Sequence, residues 1–125
     1  MGSGLTTLQL WQLDQACYPL NRAFGVCTYL VGTAFDGESW RDVDVRTILY
    51  DDDFDELFGD RDTLWGLVCL AVGQYLSDAS GLPVDFQIQR QTDANEKHSK
   101  YRNPLGMLRT FAGGGDATPW HREGA

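Results

Sequence analysis

The chain has 125 residues, of which 42% are hydrophobic, 12% aromatic and 22% charged, and its formal net charge is −8. This length predicts one domain with a modest core, and the aromatic content excludes wholesale disorder. The acidic balance disfavours unassisted binding to long nucleic acid or to an anionic membrane, because both require positive charge facing phosphate.

Targeting and cysteine signals are weak. The first residues lack the basic and apolar regions of a secretory signal, and no apolar run approaches the roughly 20 residues that span a bilayer. We therefore expect a soluble, cytoplasmic protein that does not bind membranes. The three cysteines form no CxxC motif, and Cys27 and Cys69 are expected to be buried thiols because they lie in apolar runs.

The N-terminal segment predicts a helix from Leu5 to Phe24, since its apolar residues recur at gaps of three and four. Thr6 or Thr7 is the expected N-cap, and Pro19 is expected to end or kink the helix. The run Val26–Val31 is apolar at nearly every position, which is typical of a central strand covered on both faces. The chain therefore begins with a helix and a buried strand.

A polar connection with the turn signal Asp36-Gly37 leads to a second predicted strand, Val43–Tyr50. The acidic run Asp51–Phe58 predicts a short helix whose aspartates accept hydrogen bonds from free backbone N–H groups at the helix start. Its spacing does not match the calcium-binding loop of an EF-hand. Helix capping is therefore the preferred interpretation of these acids.

The clearest helix covers Asp62–Ser80, and Pro83–Gln89 is the third predicted strand. In the polar segment that follows, a short helix near Asp93–His98 is an open alternative, and residues 107–125 are expected to form a flexible tail. We therefore expect residues 1–106 to form a single α+β domain. It would contain about three strands in a small mixed sheet packed against helices.

Three aspartates in the β-type runs are the strongest candidates for a site. Asp42 and Asp44 are two residues apart and would project from the same face of an extended chain. Asp85 lies in the third predicted strand. Carboxylates held close together repel one another unless a cation separates them, and a divalent metal is the usual solution. We therefore expect Mg²⁺ or Mn²⁺ to bind these three residues if they meet.

Phosphate-binding candidates lie beside these acids. Gly32 follows a buried strand, where its backbone can approach a ligand closely, and the Thr33 hydroxyl can hold a phosphate oxygen. Arg46 is the first choice for binding a triphosphate or pyrophosphate because it shares a strand face with Asp44. Arg90, just past the third strand, is the second choice. Together these residue types suit metal-dependent nucleotidyl transfer.

Three stretches carry a resemblance to a known family: Gly32-Thr-Ala-Phe-Asp-Gly37, Arg41-Asp-Val-Asp-Val-Arg46 and Val84-Asp-Phe-Gln-Ile88. They resemble the nucleotidyltransferase fold of the DNA polymerase beta superfamily, and most closely its small, single-domain minimal members. That family has Gly-Ser after a strand, Asp-x-Asp on the next strand and a third acid on a later one. The resemblance covers about residues 8–90, and the compact size suits a phage or mobile-element member.

The resemblance implies a role for each candidate. Gly32 and Thr33 would contact a nucleoside triphosphate, with threonine in place of the family's serine. Asp42 and Asp44 would bind magnesium, and Asp85 would help to activate the acceptor hydroxyl. Nothing after residue 106 looks like an acceptor-binding domain, and minimal relatives often work with a partner protein that supplies one.

Several alternatives stay open. The protein is either a metal-dependent enzyme that transfers a nucleoside monophosphate to an unknown hydroxyl, or a catalytically silent nucleotide-binding or protein-interaction module of the same fold. A self-associating protein with incidental acids is a third alternative. Asp42 and Asp44 could instead be a solvated strand edge paired with Arg41 and Arg46, and Asp85 could cap backbone groups. The amides between Gln87 and Asn95 could line a base or partner site, but no argument selects one of them.

Overall fold

The computed structural model describes residues 4–32, 41–97 and 102–108. In these ranges the chain forms four helices and four strands. They are, in chain order, α1 (Thr7–Phe24), β1 (Thr28–Val31), β2 (Val43–Leu49), α2 (Asp51–Leu57), α3 (Asp62–Ser80), β3 (Val84–Arg90), α4 (Gln91–Lys97) and β4 (Asn103–Leu105). The expected α+β class is confirmed, with a fourth strand added to the three that were expected.

The strands form one mixed sheet in the order β3-β2-β1-β4. β1 pairs antiparallel with both β2 and β4, whereas β2 and β3 are parallel. Because parallel neighbours need a long crossover, α2 and α3 lie between β2 and β3 in the sequence. β4 escaped prediction because it is short and contains Pro104, which a strand tolerates only at an edge or a strand end.

Helix α1 begins with a capping box. The Thr6 hydroxyl accepts a hydrogen bond from the Gln9 backbone N–H at 3.1 Å, and the Gln9 side chain accepts one from the Thr6 backbone at 2.8 Å. The helix continues through Pro19 to Phe24, so it does not end at Pro19, which was one of the two effects expected of the proline. Pro19 is exposed, and water can bind the carbonyl whose intrahelical partner the proline removes.

One face of the sheet is apolar and packs against α1 and α3. Its residues alternate along the strands with those of the other face, as a pleated strand requires. The buried apolar residues of this face include Leu30, Val43, Val45, Leu49, Phe86 and Ile88. Burial and the neighbouring Asp14 raise the pKa of the Cys17 thiol within this layer. Cys69 is buried as expected, but Cys27 is exposed, and the expectation for Cys27 is therefore wrong.

Helix α3 covers the outer edge of β3 through its side chains. The Trp65 indole N–H donates to the Ile88 carbonyl at 2.8 Å, and the Ser77 hydroxyl accepts from the Val84 N–H at 3.0 Å. The Cys69 Sγ atom accepts from the Ile88 N–H at 3.4 Å. These contacts satisfy backbone groups that an edge strand otherwise leaves open.

Helix α3 leaves large apolar residues exposed, and α2 lacks the expected cap. The buried side of α3 is formed by small residues and a leucine, namely Cys69, Gly73, Leu76 and Ser80. Leu64, Leu67 and Leu70, on the same helix, are exposed. In α2 no side chain caps the helix start, and the Asp51 carboxylate instead accepts hydrogen bonds from Thr92. Among the residues described, none of the helices is long and apolar enough to cross a membrane.

Candidate active site

The second face of the sheet carries the polar side chains. The strand registers place these residues in rows across neighbouring strands, because residues paired in register share a face. The rows are Val31, Asp44 and Asp85; then Tyr29, Arg46 and Gln87; then Ile48 and Gln89. The acids, the amides and one arginine are thereby gathered on one surface.

Asp44 and Asp85 are direct partners in the parallel β2–β3 register. Neighbouring strands lie about 4.8 Å apart, so the two carboxylates project side by side. Asp44 is half-buried, whereas the Asp85 side chain is 50% exposed. Asp44 and Asp85 therefore lie on adjacent strands, on the same face and at the same end of the sheet.

Gly32 lies against Asp44. Its φ of +78° is in the left-handed region, and a Cβ built there would overlap the Asp44 Oδ2 atom and lie 3.2 Å from its carboxyl carbon. Only glycine allows this close approach. We expected Gly32 to let a ligand reach the backbone, and the group that approaches it in the structure is the Asp44 carboxylate.

Asp42 and Thr33 are not placed beside Asp44 by the strand register. Asp42 lies in a bend one residue before β2, with an exposed side chain. The same-face argument for residues two apart therefore does not apply to it, because it requires an extended strand at both positions. Thr33 lies outside the described residues.

Arg46 is buried in the second row and points towards β3. Its Nη1 atom donates to the Asp85 carbonyl at 2.7 Å and to the Val45 carbonyl at 3.0 Å. Its Nη2 atom lies 3.9 Å from Asp85 Oδ2. The guanidinium therefore fixes the backbone at Asp85 and places positive charge beside that carboxylate. Its Nε atom is buried and has no hydrogen-bond partner within the described part of the chain.

Arg90 is engaged elsewhere. It forms an ion pair with Asp55 of α2, and its guanidinium carbon lies 4.9 Å from the centre of the Phe54 ring. Five residues of extended strand separate it from Asp85, or about 16 Å. The structure therefore brings Gly32, Asp44, Arg46 and Asp85 together and leaves Arg90 at the other end of β3.

The donor set fits a hard divalent cation in kind, because carboxylate oxygens are the ligands that Mg²⁺ prefers. Asp44 and Asp85 are adjacent, and Asp42 lies at the same end of β2. Within residues 4–32, 41–97 and 102–108, no three histidine, cysteine or acidic side chains form a cluster with metal-ligand spacing. Asp44 and Asp85 are therefore the pair from which a cation site would be built.

Two cavities flank the polar face. A groove of about 350 Å³ between α3 and β3 is lined by Asp85, Gln87 and Ser77. A second cavity, of about 270 Å³, lies at the far end of β1 and contains Cys27, Tyr29 and Arg102. Burial and the adjacent Cys27 raise the pKa of Tyr29, and Arg102, whose guanidinium lies over the ring, opposes that shift.

The polar face was not expected as a continuous surface. Tyr29 was assigned to a strand that is apolar on both faces, and the amides of β3 were noted without selecting any. The available signal was the alternation Asp85, Gln87, Gln89, which places three polar side chains on one side of a strand.

Comparison of this chain with protein-family models, with curated proteins and with solved structures yields no match. The geometry of the polar face is therefore the basis for inferring a function.

Proposed function

We propose that the protein is a metal-dependent nucleotidyltransferase that moves a nucleoside monophosphate from a nucleoside triphosphate to a hydroxyl acceptor. The observation that carries the proposal is the side-by-side register of Asp44 and Asp85, with Gly32 against Asp44. A glycine after one strand, an acid on the next and an acid on a parallel third strand are the elements that such a site needs. Because nucleoside triphosphates are cytoplasmic metabolites, the proposal places the protein in the cytoplasm.

Each residue of this end of the sheet has a chemical task. Asp44, with Asp42 and Asp85, would hold Mg²⁺ or Mn²⁺, which neutralises developing charge in phosphoryl transfer. Asp85 is half-exposed, so its carboxylate can accept the proton of an acceptor hydroxyl. Arg46 holds the Asp85 backbone in place through the bond to its carbonyl.

The acceptor would approach through the groove between α3 and β3, because Asp85 lies in its wall. Leu70 of α3 lines this groove and is exposed, as is Leu67 three residues earlier. A partner protein that covers these leucines would complete the acceptor site. Apolar residues exposed together beside a polar groove are typical of an interaction surface.

Pyrophosphate release tests the proposal. Wild-type protein is incubated with each of the four nucleoside triphosphates and with Mg²⁺ or Mn²⁺, and compared with Asp44→Asn. We expect turnover in the wild type and a loss of at least about 100-fold in the variant, because stabilisation of the transition-state charge is lost. Asp52→Asn, in an exposed acid of α2, is the matched control and should retain turnover. Equal turnover in wild type and Asp44→Asn would overturn the proposal.

A silent module of the same fold is the second candidate. The Arg46 guanidinium, 3.9 Å from Asp85 Oδ2, favours it because that charge competes with a metal for the carboxylate. A melting-temperature screen separates the two candidates, since a ligand that binds the native state raises Tm by mass action. A Tm increase with a nucleotide and metal but without turnover supports a nucleotide-binding module. No increase, together with a stable protein partner, supports an interaction module.

A further inference from the structure

A third cavity, of about 310 Å³, opens along the same polar face beyond the proposed catalytic end. It lies beside β3 and α4, and Gln87 and Gln89 of β3 line it. Its volume is at the lower end of the range for small-molecule sites, which begins near 300 Å³. The proposed function uses none of this space.

Gln89, which lines this cavity, carries an unmet hydrogen-bonding group. The residue is 8% exposed, and its Oε1 atom is buried without a partner in the part of the chain that the structure describes. More than about 90% of buried polar groups have a partner in native proteins. Leaving such a group unsatisfied costs about 1–3 kcal/mol. An unmet acceptor beside a cavity is a position to which a bound ligand can donate a hydrogen bond.

The two glutamines form an ordered pair. Gln89 Nε2 donates to Gln87 Oε1 at 3.4 Å. This bond leaves Gln89 Oε1 as an acceptor, and among the described residues the Gln87 amide makes no other hydrogen bond, so its Nε2 atom is a donor. An adjacent acceptor and donor complement a planar ligand edge with one donor and one acceptor side by side.

The walls of the cavity suit a flat, uncharged ligand. Trp65 offers an aromatic surface, since its indole N–H is already bonded to the Ile88 carbonyl. Asp93, Glu96 and Lys97 of α4 line the rest of the cavity, and Arg90 is paired with Asp55. Two acids and one lysine therefore give this wall no net positive charge to attract a phosphate, whereas aromatic surface and amides are the groups that bind nucleobases.

We propose that this cavity binds a nucleobase, with the donor–acceptor edge of the base against Gln89 Oε1 and Gln87 Nε2. The inference deepens the proposed function and rests on it for the origin of the base. Gln89 lies four residues beyond Asp85, or about 13 Å along the strand. The base belongs either to the nucleoside triphosphate or to an acceptor that ends in a nucleoside.

The direct test is a titration of isotopically labelled wild-type protein with each of the four nucleosides, without phosphate and without metal. We expect chemical-shift changes at the Gln87 and Gln89 side-chain amides for the base that fits. Gln89→Met keeps the side-chain length and removes the acceptor, so the affinity should fall by about 3- to 10-fold. The matched control is Gln74→Met at an exposed position of α3, where the amide donates to Asp78. This variant should leave the affinity unchanged.

A competition experiment identifies the source of the base. If a triphosphate with Mg²⁺ displaces the bound nucleoside, the cavity holds the base of the triphosphate. If both bind together, the cavity holds the base of the acceptor. Each result supports the inference and assigns the cavity to one substrate.

The inference and the proposed function can fail separately. Asp44→Asn should bind nucleosides as the wild type does, whether or not the wild type shows turnover. The inference is overturned if no nucleoside shifts the Gln87 and Gln89 amides of the wild-type protein. It is also overturned if Gln74→Met weakens binding as much as Gln89→Met.

Discussion

At Gly32 the absence of a side chain determines the shape of the site. The backbone there has a φ of +78°, and the Asp44 carboxylate occupies the space that a Cβ would fill. Gly25, the C-cap of α1, has a similar φ of +72°, but a Cβ there would meet no described atom within 4 Å. The two glycines therefore separate the cost of backbone strain from the cost of displacing a carboxylate.

We predict that Gly25→Ala lowers the free energy of unfolding by about 1–2 kcal/mol, the usual cost of a left-handed backbone at a residue with a Cβ. Gly32→Ala should cost more, because it adds an overlap with Asp44 Oδ2 to the same backbone strain. Urea unfolding of both variants measures the difference.

The double variant Gly32→Ala/Asp44→Ala is the control. With the carboxylate removed, the cost of the alanine at position 32, measured against Asp44→Ala alone, should fall to that of Gly25→Ala. Equal costs for the two single variants would show that Asp44 does not press against Gly32.

At the scale of elements, one carboxylate joins the starts of α2 and α4. Asp51 accepts hydrogen bonds from the Thr92 hydroxyl at 2.5 Å and from the Thr92 backbone N–H at 3.1 Å. Both bonds lower the pKa of the Asp51 carboxyl, and the bond from the Thr92 hydroxyl has the larger effect. α4 is thereby held against the end of the sheet, beside the cavity that contains Gln89.

We predict a pH-dependent contribution from this contact. A carboxyl whose pKa is lower in the folded state stabilises the fold above its unfolded pKa, and this stabilisation is lost as the pH falls through the folded pKa. The stability advantage of wild type over Asp51→Asn should therefore be largest above about pH 5 and shrink below about pH 4. Urea unfolding midpoints of both proteins, recorded above about pH 5 and below about pH 4, measure this difference.

Thr92→Val, which removes the hydroxyl donor, is the partner control and should lose most of the same pH-dependent advantage. An advantage of constant size from pH 6 to pH 3 would show that the Asp51–Thr92 contact does not shift the titration.

The helices and strands could largely be predicted from sequence, and the exceptions have physical reasons. Gly81 ends α3 in the left-handed conformation, which glycine adopts without strain. Pro19 was expected to interrupt α1, but its exposed position lets water replace the missing bond. The partner of Asp51 lies 41 residues away in sequence, and no local pattern can reveal such a contact.

At the scale of the whole molecule, the sheet divides the protein into an apolar face and a polar face. The apolar face packs on α1 and α3, and the polar face carries Asp44 and Asp85 at one end and Gln89 at the other. If both proposals hold, chemistry and base recognition lie on one continuous surface of β2 and β3.

The candidate site was partly predictable. Residue types and spacing pointed to Gly32, Asp44 and Asp85, because strand ends and alternation can be recognised in sequence. Tertiary packing determines the rest. It sets the register that pairs Asp44 with Asp85, and it turns Arg46 towards the Asp85 carbonyl. Gln89 is buried, and the cavity that it lines is bounded by α4, which the sequence indicated only as an open alternative.

The most direct test of the central claim is to locate the metal–nucleotide complex on the protein. Mn²⁺ with a nucleoside triphosphate is titrated into labelled protein, and paramagnetic broadening of the backbone amides is recorded. We predict the strongest broadening at Gly32, Asp44 and Asp85, and its loss in Asp44→Asn. Broadening centred on Asp51–Asp53 of α2, or no broadening at all, would contradict the account.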